Sequence, residues 1–168
     1  NRTGIYGTMF IAAAISCAQV MQDKEEIIRT ALKYVPQESR FFIRSKICLD
    51  EILRASDWED GYKKINNILN EYGHCRIYQE VGMMINSFLF ANNIYEGICI
   101  QVSQGADTDS FGASVGSLLG SYYGPEGLDS KWLEIFNDDI HTGMAWFFER
   151  SVSKLAKRMG RLPVNFSK

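Results

Sequence analysis

Two carboxylates, Asp107 and Asp109, stand one residue apart in the stretch GADTDSFGASVGSLLGSYYG, with the Ser110 hydroxyl beside them. Like charges that close repel unless something positive lies between them. In an extended turn, residues i and i+2 point the same way; on a helix they do not. A turn just ahead of a helix can therefore aim both acids and Ser110 into one small volume. Hard divalent cations such as Mg²⁺ or Mn²⁺ take oxygen donors of this kind. With no Cys or His nearby in sequence, zinc and copper are disfavoured. The competing reading is plain: Asp109 or Ser110 caps a helix, and Asp107 is solvated, because short acidic motifs match often by accident.

Two named alternatives fit less well on particular residues, and the second, a phosphotransferase, ranks third behind the readings given below. An EF-hand loop would need oxygen ligands where Phe111 and Leu118 stand. A phosphatase with an aspartyl nucleophile at Asp107 would carry Thr or Val in place of Phe111, together with a strand–helix alternation that this chain lacks. Beyond the acids, Gly112, Gly116 and Gly120 recur at i+4 and so share one helix face. Each costs about 1 kcal/mol relative to Ala inside a helix. The row predicts close approach by another backbone or a ligand. Helix packing accounts for Gly116 and Gly120, and Gly112 leaves room beside a metal or substrate.

The elements that must position these residues read as helical nearly throughout. The spacing predicts helices over residues 8–22, 23–34, 39–53, 57–72, 77–91, 93–103, 110–123, 130–136 and 142–160. Asp23, Ser39, Asp57, Asn93 and Thr142 are their candidate caps, and Asp23/Glu26 and Asn93/Glu96 have the capping-box spacing. On the third helix Phe42, Ile43, Ile47, Ile52 and Leu53 form the expected apolar side. The run 98–102 has strand-like composition, but one strand makes no sheet. The expected fold class is all-α, an orthogonal multi-helix bundle, with residues 1–168 forming part of a single domain.

The totals bound the function. The 168 residues carry a formal net charge of -2, which gives no basic footprint for nucleic acid. Residues 3–22 hold no charge over about the length of a membrane span. They are rich in Ala, Gly, Ser and Thr, so a buried core helix is expected, with no membrane partner. Cys17, Cys48, Cys75 and Cys99 form no C-x-x-C pair, and only His74 and His141 could join them. That predicts four reduced, mostly buried thiols in a cytoplasmic protein. The first residue is Asn1 rather than Met, so the chain is expected to begin inside something longer.

The stretch quoted above resembles the C-terminal signature of the ADP-ribosylglycohydrolases, including the dinitrogenase reductase-activating glycohydrolases. Gly105, Asp107, Thr108, Asp109, Gly112, Ala113, Gly116 and Gly120 carry the match. The opening NRTGIYGTMFIAAAISCA is similar to the family's central helix, and KWLEIFNDDIHTG resembles a segment after the signature in one bacterial branch. The chain thus looks like the C-terminal half of a member. The resemblance implies an all-α bundle with two magnesium ions (Mn²⁺ as substitute) in a cleft. It implies hydrolysis of the glycosidic bond joining ADP-ribose to a protein side chain or small acceptor. The metal ligands would be Asp107, Asp109 and Ser110, the last replacing the commoner Thr. Tyr6, Gly105 and Gly112 would meet the substrate, with core packing as the rival role for Tyr6. The family completes its metal shell from an N-terminal Thr-Asp-Asp motif, with an acidic gate and a glycine-rich phosphate loop, none of which occurs here. The N-terminal half of the same protein, or a second chain, would have to supply them, and the isolated chain would be inactive. A non-catalytic ADP-ribose-binding homologue is the alternative. Asn137-Asp138-Asp139 is superficially like the missing motif but reads as a polar loop.

Overall fold

The computed structural model describes residues 1–73, 75–144 and 146–161; His74 lies outside them. The structure is 67% helical, and no strand occurs among the described residues. The described chain forms two compact units, Asn1–Leu128 and a second beginning at Asp129.

The first unit holds α1 (Arg2–Ala18), α2 (Lys24–Leu32), α3 (Arg40–Ile52), α4 (Trp58–Leu69), α5 (Ile77–Phe90), α6 (Ile94–Ser103) and α7 (Thr108–Tyr123). A 3-10 turn, Pro125–Gly127, follows α7. Four of the expected caps are made. Asp23, Ser39, Asp57 and Asn93 accept the backbone N–H groups of Glu26, Phe42, Asp60 and Glu96, each satisfying a donor that has no partner within its helix. The run 98–102 is helical, within α6.

Three expectations change. The first helix starts at Arg2, six residues early, because the Asn1 side chain accepts from Thr3 N at 3.0 Å. It buries only Gly7, Phe10, Ala14 and Ala18, one stripe rather than its whole girth. Ile5 is 57% exposed. On α3 the buried face is Phe41, Ser45, Cys48, Leu49 and Ile52, so Ile43, Ile47 and Leu53 face outward. Only Cys48 of the four free thiols is buried, and that burial pushes its pKa up to about 12; Cys75 and Cys99 are exposed.

The centre of the unit is α5. Every residue from Val81 to Phe88 is buried, as a helix packed on all sides requires. It contacts α3, α4, α6 and α7, while α7 also lies against α1. Close approach occurs at glycines outside the α7 row. A Cβ on Gly7 would collide with Ile77, one on Gly61 with the Asn86 side chain, and one on Gly97 with Leu119. By contrast, a Cβ on Gly116 would sit 3.7 Å from Ile98 Cδ1, and one on Gly120 would meet nothing within 4 Å. No other backbone therefore presses on Gly116 or Gly120 among the described residues.

The far end of α7 is pinned to α2. The ammonium of Lys24 bonds Ala91 O and lies 5.4 Å from the ring centroids of Phe88 and Tyr122 and 5.3 Å from that of Tyr123. Burial holds its pKa below the usual lysine value. Tyr122 donates to Gln22 O at 2.7 Å and Tyr123 to Ala91 O at 2.8 Å.

The second unit holds α8 (Ser130–Glu134) and α9 (Val152–Met159). Residues 142–151 form no helix where described, and Ser151 rather than Thr142 caps α9, accepting from Lys154 N at 3.1 Å. Among the described residues no helix is long and apolar enough to cross a membrane.

Candidate metal centre at the start of the seventh helix

The acidic pair sits where α6 turns into α7. Gln104 ends α6, and the chain then passes through two left-handed residues, Gly105 (φ 77) and Ala106 (φ 61). Ala106 is the informative one, because a Cβ makes that conformation costly. Asp107 follows at the N-cap position, but its side chain makes no capping bond. Its Oδ2 instead accepts the Cys75 thiol at 3.0 Å, across from the segment that enters α5. That bond, and then the charge of Asp107, raise the thiol's pKa.

The helix begins at Thr108 rather than near Ser110. Asp109 and Ser110 therefore occupy its exposed first turn instead of an extended approach. The Asp109 Oδ1 accepts from Ser110 N at 2.9 Å, so neither residue caps the helix in the expected way. The N-terminal end of α7 also favours negative charge. Farther along, Ser114 donates to Glu80 Oε1 at 2.8 Å, so α5 meets this face of α7 a second time.

Gly105 and the metal candidates thus share one loop and one helical turn. Gly112 lies a turn on and is open, its nearest neighbour to a built Cβ being Val102 Cγ2 at 3.9 Å. Tyr6 lies on α1. It lines a cavity of about 400 Å³ with Arg2, Ser39, Arg40, Phe41 and Tyr78, and no motif residue lines that cavity. Arg2 and Arg40 form no ion pair among the described residues. The entry to α5 connects the two places, since Cys75 reaches Asp107 while Tyr78 lines the cavity.

Two carboxylates and a hydroxyl suit a hard divalent ion by donor type. They do not close a shell. Among the described residues no group of three or more His, Cys, Asp or Glu side chains could hold a metal. Water or further oxygen donors would have to complete the coordination.

Sequence reasoning missed Cys75, Glu80 and Gln104. Neither a thiol after a turn nor an amide at a helix end carries a periodic signal. The pair Asp138/Asp139, in the second unit, is occupied by its own surroundings. Asp138 accepts from Ser151 Oγ at 2.6 Å, Ser153 N at 2.7 Å and Ser153 Oγ at 2.9 Å. Asp139 pairs with Arg150 in two-point fashion. These bonds hold both carboxyls below their usual pKa.

No curated protein and no solved structure matches the chain. A family model, ADP-ribosylglycohydrolase, matches residues 1–161. The match does not bear out the narrower expectation of a C-terminal half. Running along nearly the whole sequence and both units, it shows that the chain belongs to the ADP-ribosylglycohydrolase family.

Proposed function

We propose that the protein serves magnesium-dependent hydrolysis of the glycosidic bond between ADP-ribose and a protein side chain or small acceptor. The observation that carries this is the acidic pair fixed at the start of α7, in a chain whose family cleaves such bonds. Asp107, Asp109 and Ser110 would hold Mg²⁺, with Mn²⁺ as a substitute. A bound ion would supply Lewis-acid polarisation and fix the ribose hydroxyls. The guanidiniums of Arg2 and Arg40, which form no ion pair among the described residues, suit the diphosphate, and the rings of Tyr6 and Tyr78 suit the base. Gly105 and Gly112 leave room where the ribose would approach. In the net reaction water's hydroxyl goes to the anomeric carbon, the bond from that carbon to the acceptor breaks, and the acceptor leaves with the proton.

Because Asp107, Asp109 and Ser110 do not close a coordination shell among the described residues, they are read as half of a two-ion site. The remainder would come from a second chain, and the isolated chain would then be inactive. The same observation favours one other reading, an ADP-ribose-binding homologue that does not cleave. The four free thiols fit cytoplasmic work. The test uses an ADP-ribosylated peptide with and without Mg²⁺, with the chain supplemented by that second part. Asp109→Ala should abolish metal-dependent release of ADP-ribose while leaving helicity intact. Unchanged turnover would overturn the assignment, and calorimetric binding of ADP-ribose without any cleavage would establish the second reading.

A further inference from the structure

Gln104 is 2% exposed although it directly precedes the half-buried loop to α7. Its Oε1 accepts from Asn86 Nδ2 at 3.0 Å, and its Nε2 donates to Ser87 Oγ at 2.7 Å and to Met83 O at 3.3 Å. All three partners belong to α5. Asn86 Nδ2 is fixed in turn by Trp58 O at 2.8 Å, and the single Ser87 hydroxyl proton lies within reach of Met83 O at 2.9 Å and Gln101 Oε1 at 3.0 Å. Buried amides bonded this way are rigid, because breaking them strands polar groups away from water. Immediately after Gln104 the backbone takes two left-handed residues, of which Ala106 does so against its own preference. Such a conformation persists only where its flanks are over-determined.

We propose that Gln104 is a positioning residue: its buried amide, locked to α5, holds the Gly105–Ala106 turn in its left-handed form and so sets where Asp107 and Asp109 stand. The inference rests on the reading of those acids as ion ligands only for its binding consequence. The conformational part stands on the loop itself.

Gln101 supplies the control. It is fully buried on the same helix and bonds the same Ser87, but it lies a turn away from the loop. Gln104→Met and Gln101→Met are compared in the 168-residue chain, with Gln104→Asn, which retracts the amide by one methylene, as a second variant should Gln104→Met not fold. Amide hydrogen exchange is read at residues 105–111, and Mn²⁺ binding by electron paramagnetic resonance. Gln104→Met should speed exchange at the first turn of α7 by roughly tenfold beyond any change at its last turn, and weaken Mn²⁺ binding by roughly 10- to 100-fold, the usual effect of losing a group behind a ligand. Gln101→Met should do neither, whatever it costs in melting temperature. Equal effects from both variants, or exchange at 105–111 unchanged in a folded Gln104 variant, would overturn the proposal. Should the parent chain alone bind no Mn²⁺, the titration is repeated with the second chain that completes the site, and failure there sinks the ion-ligand reading; the exchange comparison decides the role of Gln104 in either case.

Discussion

Asp107/Asp109 and Asp138/Asp139 are both close acidic pairs placed beside left-handed backbone: Ala106 before the first, Asn137 and Asp138 itself in the second. Their surroundings differ. In the second unit, Ser151 and Ser153 donate to Asp138 and a guanidinium grips Asp139, so both negative charges are spent on starting α9 and closing its loop. At α7 a neutral thiol is among the donors to Asp107, the adjacent amide donates to Asp109, and Asp109 has no ion pair among the described residues. A pair that meets hydroxyls and arginine becomes a local brace. Asp109, exposed in the first turn of its helix with no ion pair among the described residues, keeps charge available for something that arrives from outside.

The contrast breaks most visibly by substitution of the acids. Replacing both Asp107 and Asp109 by Asn should lower Mn²⁺ affinity by more than the roughly 10- to 100-fold that loss of an outer partner costs, with the circular dichroism spectrum preserved. Asp138→Asn should leave Mn²⁺ titrations untouched and instead accelerate amide exchange at Ser153 and Lys154. Were Asp138→Asn to weaken metal binding as strongly, the distinction between the pairs would collapse.

Acid offers a further handle. The folded-state pKa values of Asp138 and Asp139 are lowered, so their stabilisation is complete above the ordinary carboxylate pKa, near 4, and is lost as pH falls below it. Exchange at Ser153 should therefore rise on acidification below about pH 4, and Asp138→Asn, which removes the titrating acceptor of that amide, should flatten the rise. The smallest effect is expected at Gly112. Since a Cβ there fits, Gly112→Ala should raise stability by up to about 1 kcal/mol. If the space serves substrate, KM for an ADP-ribosylated peptide should climb at the same time. A lower melting temperature would instead show that the space serves packing.

Much of the frame was legible because capping is local chemistry. Asp23, Ser39, Asp57 and Asn93 announce their helices within four residues. Thr142 has the right side chain for a cap and yet starts no helix, because Ser151 takes that role nine residues later. The buried face of α3 was misplaced by one position, since Ile43 and Ile47 sit as regularly as the Phe41 and Cys48 that are in fact covered. The glycine row of α7 misled for a related reason. Regular spacing says that residues share a face but not what lies opposite, and the glycines that do need their emptiness, Gly7, Gly61, Gly82, Gly97 and Gly127, follow no period. The acidic motif was visible as a pair; that Cys75 and Gln104 hold it depends on contacts 32 and 17–21 residues apart in sequence, which no short pattern encodes.

The amine of Lys24 sits among three aromatic rings with its proton donated to a main-chain oxygen. Acylating reagents attack an uncharged, accessible nitrogen, and this one is half-buried and engaged by its carbonyl and rings. It should therefore label more slowly than an exposed lysine such as Lys33, and the ratio of the two rates reports how firmly the tail of α7 is held at that end.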